Sequence, residues 1–391
     1  MISEEEARSR ILEKVRSLRE QTVPLSSALG CFSARDVFSR LPLPAFDNSA
    51  MDGYAVMASS CKKGQRLRVI SEQPAGFDRE LSVSSGEAVR IFTGAPMPVG
   101  ADAVIMQEDV TRDGDEIVIN TDVEAGEFVR RRGCDLAEGQ RILAKGERIR
   151  AATAALLASQ GFAEATVGGE VNAAIISTGD ELVKPGKKIK AGQIYDSNSP
   201  LLGALLQRCR AIVKSVEHCR DERESLIEAI KRGSENHILI ISGGVSVGEH
   251  DFVKDALRDL GAQIDIWRVA IKPGKPFLFG NIDKCAVFGL PGNPVSAFVT
   301  FLQFVRPAIL KMMGATDLDL PQMPAKLTVD LTNDSDRAHY IRGKLEHGRF
   351  TPVGRQESHA LFGLSQSNAL LRLALGQSLK AGDIVEVQIW D

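Results

Sequence analysis

No charge of either sign dominates the 391-residue sequence: 48 Lys plus Arg stand against 51 Asp plus Glu, a net charge of −3. A protein that binds nucleic acid through its whole surface needs a concentrated basic field, and the balance gives no reason to expect one. The short basic run Arg130-Arg-Arg132 has no interleaved aromatic residues, so it does not read as a nucleic-acid site. Cysteine is thinly scattered, at Cys31, Cys61, Cys134, Cys209, Cys219 and Cys285, with no C-x-x-C pair and no Cys/His cluster at zinc spacing. These read as reduced, mostly core thiols. Apolar runs are short: 151–158 and 238–241 fall far below the roughly 18 residues of a bilayer span. The acidic start, Met1-Ile-Ser-Glu-Glu-Glu, lacks the basic and then apolar order of a signal peptide. The expectation is a soluble, cytoplasmic protein with neither a membrane nor a nucleic-acid partner.

A charged fraction of 25% is ordinary for a globular chain, which excludes disorder and collagen-like structure. At ~150 residues per domain, two to four domains are expected. Ala7, Ile11, Val15 and Leu18 repeat at helical spacing and predict an amphipathic helix over 3–20. A Pro-rich turn cluster then marks a boundary near residue 44. From 53 to 130, short apolar runs alternate with Gly, Pro and Asp turns, a small β-rich domain. Residues 138–167 change texture, with a helix over 153–159 closed by Gly161, and are expected to pack back on the N-terminal helix. Between 168 and 316, strands at 171–177, 211–216, 237–241 and 286–290 alternate with helical stretches, the pattern of a doubly wound α/β domain. Past a linker at 318–324, short strands with Gly turns predict a C-terminal β-barrel or sandwich.

Open α/β sheets bind ligands beyond the carboxyl ends of their strands. There the sequence sets Thr178-Gly-Asp-Glu181, Ser242-Gly-Gly-Val-Ser-Val-Gly248 followed by Asp251, and Pro291-Gly-Asn-Pro294. The glycine loop reads either as a phosphate cradle or as a tight strand-to-helix turn. Glu181, Asp221 and Asp251 all follow strands, and three converging carboxylates call for a divalent cation such as Mg2+. Asp221 also reads as the cap of its helix, with Glu224 completing a capping box, and both roles can hold together. Lys272-Pro-Gly-Lys275 fixes two cations on a stiff loop, suited to an oxyanion or simply a solvated turn.

Seven motifs in order resemble the molybdopterin molybdenumtransferase family, which includes the C-terminal domain of gephyrin. They are Ser49-Ala-Met-Asp-Gly-Tyr54, Thr93-Gly-Ala-Pro96, Gly100-Ala-Asp-Ala103, Thr178-Gly-Asp-Glu181, Gly243-Gly-Val-Ser-Val-Gly248, Lys272-Pro-Gly-Lys-Pro276 and Pro291-Gly-Asn-Pro294. The resemblance implies four domains: a mixed N-terminal domain of 1–43 plus 138–167, a β-rich insert of 44–137, an α/β molybdopterin-binding domain of 168–317 and a β-barrel of 318–391. It implies a transferase of molybdenum cofactor biosynthesis that takes adenylylated molybdopterin and molybdate, uses Mg2+ and releases AMP. Glu181, Asp221 and Asp251 become metal-binding active-site carboxylates, and Asp52, Thr93 and Asp135 of the insert become catalytic positions. Gly243, Gly244, Ser246, Gly248, Pro291 and Pro294 would hold the pterin nucleotide. Lys272, Lys275, Ser296 and Arg342 would surround molybdate. A head-to-tail homodimer would bring the insert of one subunit to the α/β domain of the other. The molybdopterin adenylyltransferase and other cofactor-biosynthesis proteins are candidate partners.

Two positions depart from the family pattern: Cys134 stands where Glu is usual, and Gly363 stands where many members carry serine, with Ser358 and Ser365 as substitute hydroxyls. Two other readings are a non-catalytic, gephyrin-like scaffold and a different enzyme on the same α/β module, such as an adenylyltransferase.

Overall fold

The computed structural model describes residues 1–244 and 252–390; Ser246, Gly248 and Asp251 lie outside them. The chain forms two compact units. One comprises Met1–Arg35, Lys145–Ala151 and Glu164–Asp391, and the other Asp36–Ala144 and Ala152–Ala163.

The first unit is built on a six-stranded sheet. In spatial order its strands are Ile212–Cys219, Asn172–Thr178, Ile238–Ser242, Cys285–Leu290, Leu278–Ile282 and Gln263–Ile266. The first four run parallel, and each of the last two is antiparallel to the strand before it in this order. Central parallel strands are covered on both faces and therefore read as unbroken apolar runs, as Ile238–Ser242 does. Alternate residues divide between two cores. Ala173, Ile175, Ile238, Ile240 and Phe288 meet the helix Asn198–Arg208 and the run Pro294–Met312, while Ala174, Ile176, Leu239, Ile241 and Val287 meet the helices Arg223–Gly233 and Phe252–Asp259.

Five strands after the sheet close into a barrel in the order Ala338–Glu346, Arg349–Pro352, Gln322–Leu327, Ile384–Ile389 and Ala369–Leu373, the last pairing back to the first. This resolves the choice between barrel and sandwich. Ile271–Lys272 adds a short parallel strand beside Ala338 and His339, tying the α/β sheet to the barrel wall.

The second unit carries a six-stranded sheet ordered Ala103–Met106, Gly53–Val56, Glu87–Ile91, Arg66–Gln73, Glu116–Ile119 and Val110–Asp113. The helix Ala151–Ser159 ends as expected: Gly161 has φ +75°, and the amides of Phe162 and Gly161 return to the carbonyls of Leu157 and Ala158.

Three expectations are corrected. The N-terminal helix is Glu4–Lys14, ending where Val15 turns extended; Leu18 keeps its apolar contact from an extended segment whose amide bonds to the Met312 carbonyl. That helix packs on Arg306–Met312, and Glu164–Val167 pairs instead with the strand Gln21–Pro24. A longer apolar stretch also exists: Pro294–Met312 is 19 residues, and an 18-residue window of it has mean hydropathy 1.3 and is 89% buried inside the protein, as a core helix should be. A π-turn at Phe301–Val305 interrupts it just before Pro307, whose ring nitrogen cannot donate to the preceding turn.

Candidate active site

A chain that leaves Asn172–Thr178 for the edge strand Ile212–Cys219 and then crosses to Ile238–Ser242 creates a topological switch point between the first and third of these strands. A cavity of about 710 Å3 opens there. Thr178, Gly179 and Glu181 line it from one strand end, Ser242, Gly243 and Gly244 from another, and Pro291–Pro294 from a third; Asp221, Asn198 and His359 complete the wall. Each glycine has a local reason. Gly179 has φ +142°, and a Cβ there would lie 2.6 Å from the Glu181 carboxylate folded over it. Gly243 and Gly244 have φ +92° and +66°, and their Cβ atoms would strike the Thr178 carbonyl and the Val253 side chain, each at 2.6 Å.

Glu181 and Asp221 thus face one cavity, with Asp180 beside them. The Asp221 carboxyl is pushed above its usual range, first by burial and then by the charges of Asp180 and Glu181. Asp221 does not cap its helix: the cap position of Arg223–Gly233 is Glu222, with no side-chain cap bond. Among the described residues, no three His, Cys, Asp or Glu side chains form a ready metal-ligand group.

Pro291 and Pro294 line the cavity, and Pro294 opens its helix at the first turn, where a missing amide is harmless. Lys272, Lys275, Ser296 and Arg342 do not belong to the described lining, which takes Pro276 from the lysine loop. Lys272 lies on the strand joined to the barrel. Ser296 is buried on the helix Pro294–Thr300. Arg342 is 1% exposed; its terminal nitrogens donate to the carbonyls of Glu357 and Arg355, and its Nε has no partner. Burial lowers its pKa. His339, next to Lys272 in the sheet register, also carries an unpartnered Nε2; burial, then Lys272, Arg342 and Arg337, bring its pKa down to about 4.

Gly363 sits against the Gly354 turn, where a Cβ would lie 3.2 Å from the Val353 carbonyl oxygen, so a serine there would press on the backbone. Of the two substitute hydroxyls, Ser358 accepts from Asn293 Nδ2 at 2.9 Å, and Ser365 donates to the Phe362 carbonyl at 2.8 Å.

In the second unit, Asp52 Oδ1 accepts from the Thr93 amide at 2.8 Å and the Thr93 hydroxyl at 2.7 Å. Those two bonds, helped by Arg90, hold the exposed Asp52 carboxyl below its usual range. Asp135 is fixed through its backbone amide on the Leu43 carbonyl. Cys134 is a free, exposed thiol.

Residues 2–161 match the family model described as MoeA N-terminal region (domain I and II), 174–311 the probable molybdopterin binding domain, and 324–390 the MoeA C-terminal region (domain IV). The chain is 37% identical to the molybdopterin molybdenumtransferase of Haemophilus influenzae, with 99% of this chain and 98% of the relative aligned. The chain belongs to the molybdopterin molybdenumtransferase family. It is 36% identical to molybdopterin molybdenumtransferase 2 of Mycobacterium tuberculosis over the full length of both. The crystal structure of a molybdopterin biosynthesis MoeA protein from Pyrococcus horikoshii superposes with a TM-score of 0.86 at 29% identity, covering both chains completely. Family membership makes the chain an enzyme of molybdenum cofactor biosynthesis.

The sequence reading gives no role to Asp180 and Thr178, though its strand-end motif holds both, and it misses Asn198 and His359 of the cavity wall. The first two stand beside residues already singled out, so the strand-end rule could have found them. Asn198 and His359 come from a helix start and a distant barrel loop, and no spacing announces them.

Proposed function

We propose that the chain inserts molybdenum from molybdate into adenylylated molybdopterin, cleaving the phosphoanhydride, delivering the metal to the dithiolene sulfurs and releasing AMP. The observation that carries the reading is the cavity at the switch point, where carboxylates and a glycine loop meet in a chain that matches its family from end to end.

In this reading Glu181, Asp221 and Asp251 are the metal-binding carboxylates. The donor set fits Mg2+: these are hard oxygens, the ionised form of Asp221 is disfavoured by burial and by like charges that a cation would offset, and Mg2+ takes one or two carboxylates while keeping waters and phosphate oxygens. Bound there, Mg2+ would neutralise phosphate charge. Gly243, Gly244, Ser246, Gly248, Pro291 and Pro294 hold the pterin nucleotide, the glycines by letting the backbone approach it closely. Lys272, Lys275, Ser296 and Arg342 hold molybdate. Asp52, held ionised by Thr93, serves catalysis with Thr93 and Asp135 from the insert of a partner subunit in a homodimer. The four-domain division at 44, 138, 168 and 318 and a cytoplasmic location complete the proposal, with the molybdopterin adenylyltransferase as the partner that hands over adenylylated substrate.

A non-catalytic scaffold is not favoured because Asp52, Glu181, Asp221 and Asp251 are all present, and an adenylyltransferase is not favoured because the match includes the MoeA N-terminal and C-terminal regions. The test is direct: purified protein with adenylylated molybdopterin, Mg2+ and molybdate should release AMP, and release no greater than in a protein-free control would refute the activity.

A further inference from the structure

Among the described residues, two buried polar atoms in the cavity wall have no hydrogen-bond partner: Asn198 Oδ1 and Thr178 Oγ1. Their residues are 7% and 5% exposed. Native proteins rarely leave such groups unsatisfied without a reason. The amide orientation of Asn198 is fixed by chemistry. Its Nδ2 lies 2.7 Å from the Gly292 carbonyl, which can only accept, and 2.8 Å from Ser242 Oγ, so the oxygen is the unused end. The backbone is fixed as well, since Asp196 accepts the amides of Asn198 and Ser199 at the start of the helix Asn198–Arg208. Asn198 Oδ1 is therefore a rigid acceptor. Thr178 ends the neighbouring strand, and its hydroxyl lies 2.8 Å from where a Gly244 Cβ would stand, so glycine keeps the space beside it open.

We infer that Asn198 and Thr178 form a subsite that reads an uncharged N–H or O–H donor of the substrate. A rigid amide oxygen repels a phosphate oxygen and rewards a donor. The inference rests on the proposed transferase reading, whose substrate offers such donors in two places: the ribose hydroxyls of the adenylyl half and the amino and ring N–H edge of the pterin half.

The test pairs each side chain with a ligand group. Thr178→Val keeps shape and loses only the hydroxyl; Asn198→Ala removes the acceptor, with thermal melting to monitor the lost Gly292 and Ser242 bonds. Calorimetric titrations use AMP, its 2′-deoxy and 3′-deoxy forms, a pterin and its 2-dimethylamino derivative. The wild type should bind a donor-bearing ligand roughly threefold to tenfold more tightly than its donor-less counterpart, and both variants should lose that preference. Loss confined to the AMP series assigns the ribose; loss confined to the pterin series assigns the ring. A wild type without preference, or variants that keep it, would overturn the subsite. AMP release by the wild type separates the two claims: release with unchanged variant preferences sinks only the subsite, whereas absent release sinks the transferase reading.

Discussion

Two aspartates in the two units experience opposite surroundings. Asp221 lies with Asp180 and Glu181, and its carboxyl is pushed up by burial and by their charges. Asp52 stands exposed with two Thr93 donors on one oxygen, and its carboxyl is held down. The residue type is the same, so the difference lies in what each carboxylate is supplied with. Asp221 has burial and then like charges set against its ionised form. Asp52 has fixed donors and is a stable anion without a cation.

The sharpest way to break this comparison is to remove the charge. Asp221→Asn and Asp251→Asn should each lower AMP release by about 10²- to 10³-fold, the usual loss when a preorganised electrostatic group goes. Folding should respond in the other direction for Asp221. Its raised pKa means that the folded state disfavours the ionised form, so stability is lost as pH rises above the ordinary carboxylate range. Asp221→Asn removes that loss and should melt no lower than the wild type at pH 7 without Mg2+. Added Mg2+ should then stabilise the wild type more than the variant. Wild-type turnover by either variant across a Mg2+ titration would end the carboxylate-metal assignment.

Lys275→Ala tests the oxyanion side of the same unit. Losing one charge-assisted hydrogen bond should raise the molybdate concentration for half-maximal insertion by roughly 10- to 150-fold, with nucleotide affinity nearly intact. An unchanged molybdate dependence with nucleotide affinity lost would move Lys275 to the phosphate side.

The smallest effect belongs to the insert. Thr93→Val deletes the hydroxyl donor and keeps the amide, which contributes more to the lowering. The Asp52 carboxyl, followed by carbon NMR, should titrate higher than in the wild type while staying below the ordinary carboxylate value. No movement would show that the hydroxyl does not act on Asp52.

The sequence made the parallel strands visible because sheet burial on both faces leaves continuous apolar runs such as Ile238–Ser242. It revealed Glu181 and Asp221 because they directly follow strands. It overextended the first helix because Leu18 stays at an apolar spacing while the backbone there is extended and pinned to Met312. It could not reveal Asn198 or His359 as cavity residues, since their place depends on how a helix start and a barrel loop close around strand ends far away in the chain. The capping reading of Asp221 failed because the helix begins one residue later, freeing that carboxylate for the cavity.

The central claim is that Asp52 of one subunit and the α/β carboxylates of the other, Asp251 among them, serve one substrate, and mixing inactive variants tests it most directly. Asp52→Ala and Asp251→Ala homodimers should each be nearly inactive. A mixed dimer gathers both lesions into one of its two sites and leaves the other intact. With about half the dimers mixed after random reassortment, roughly a quarter of wild-type AMP release should return for a closed two-fold dimer. Mixed dimers that form, as shown by co-purification of differently tagged chains, and yet stay as inactive as their parents would contradict the account.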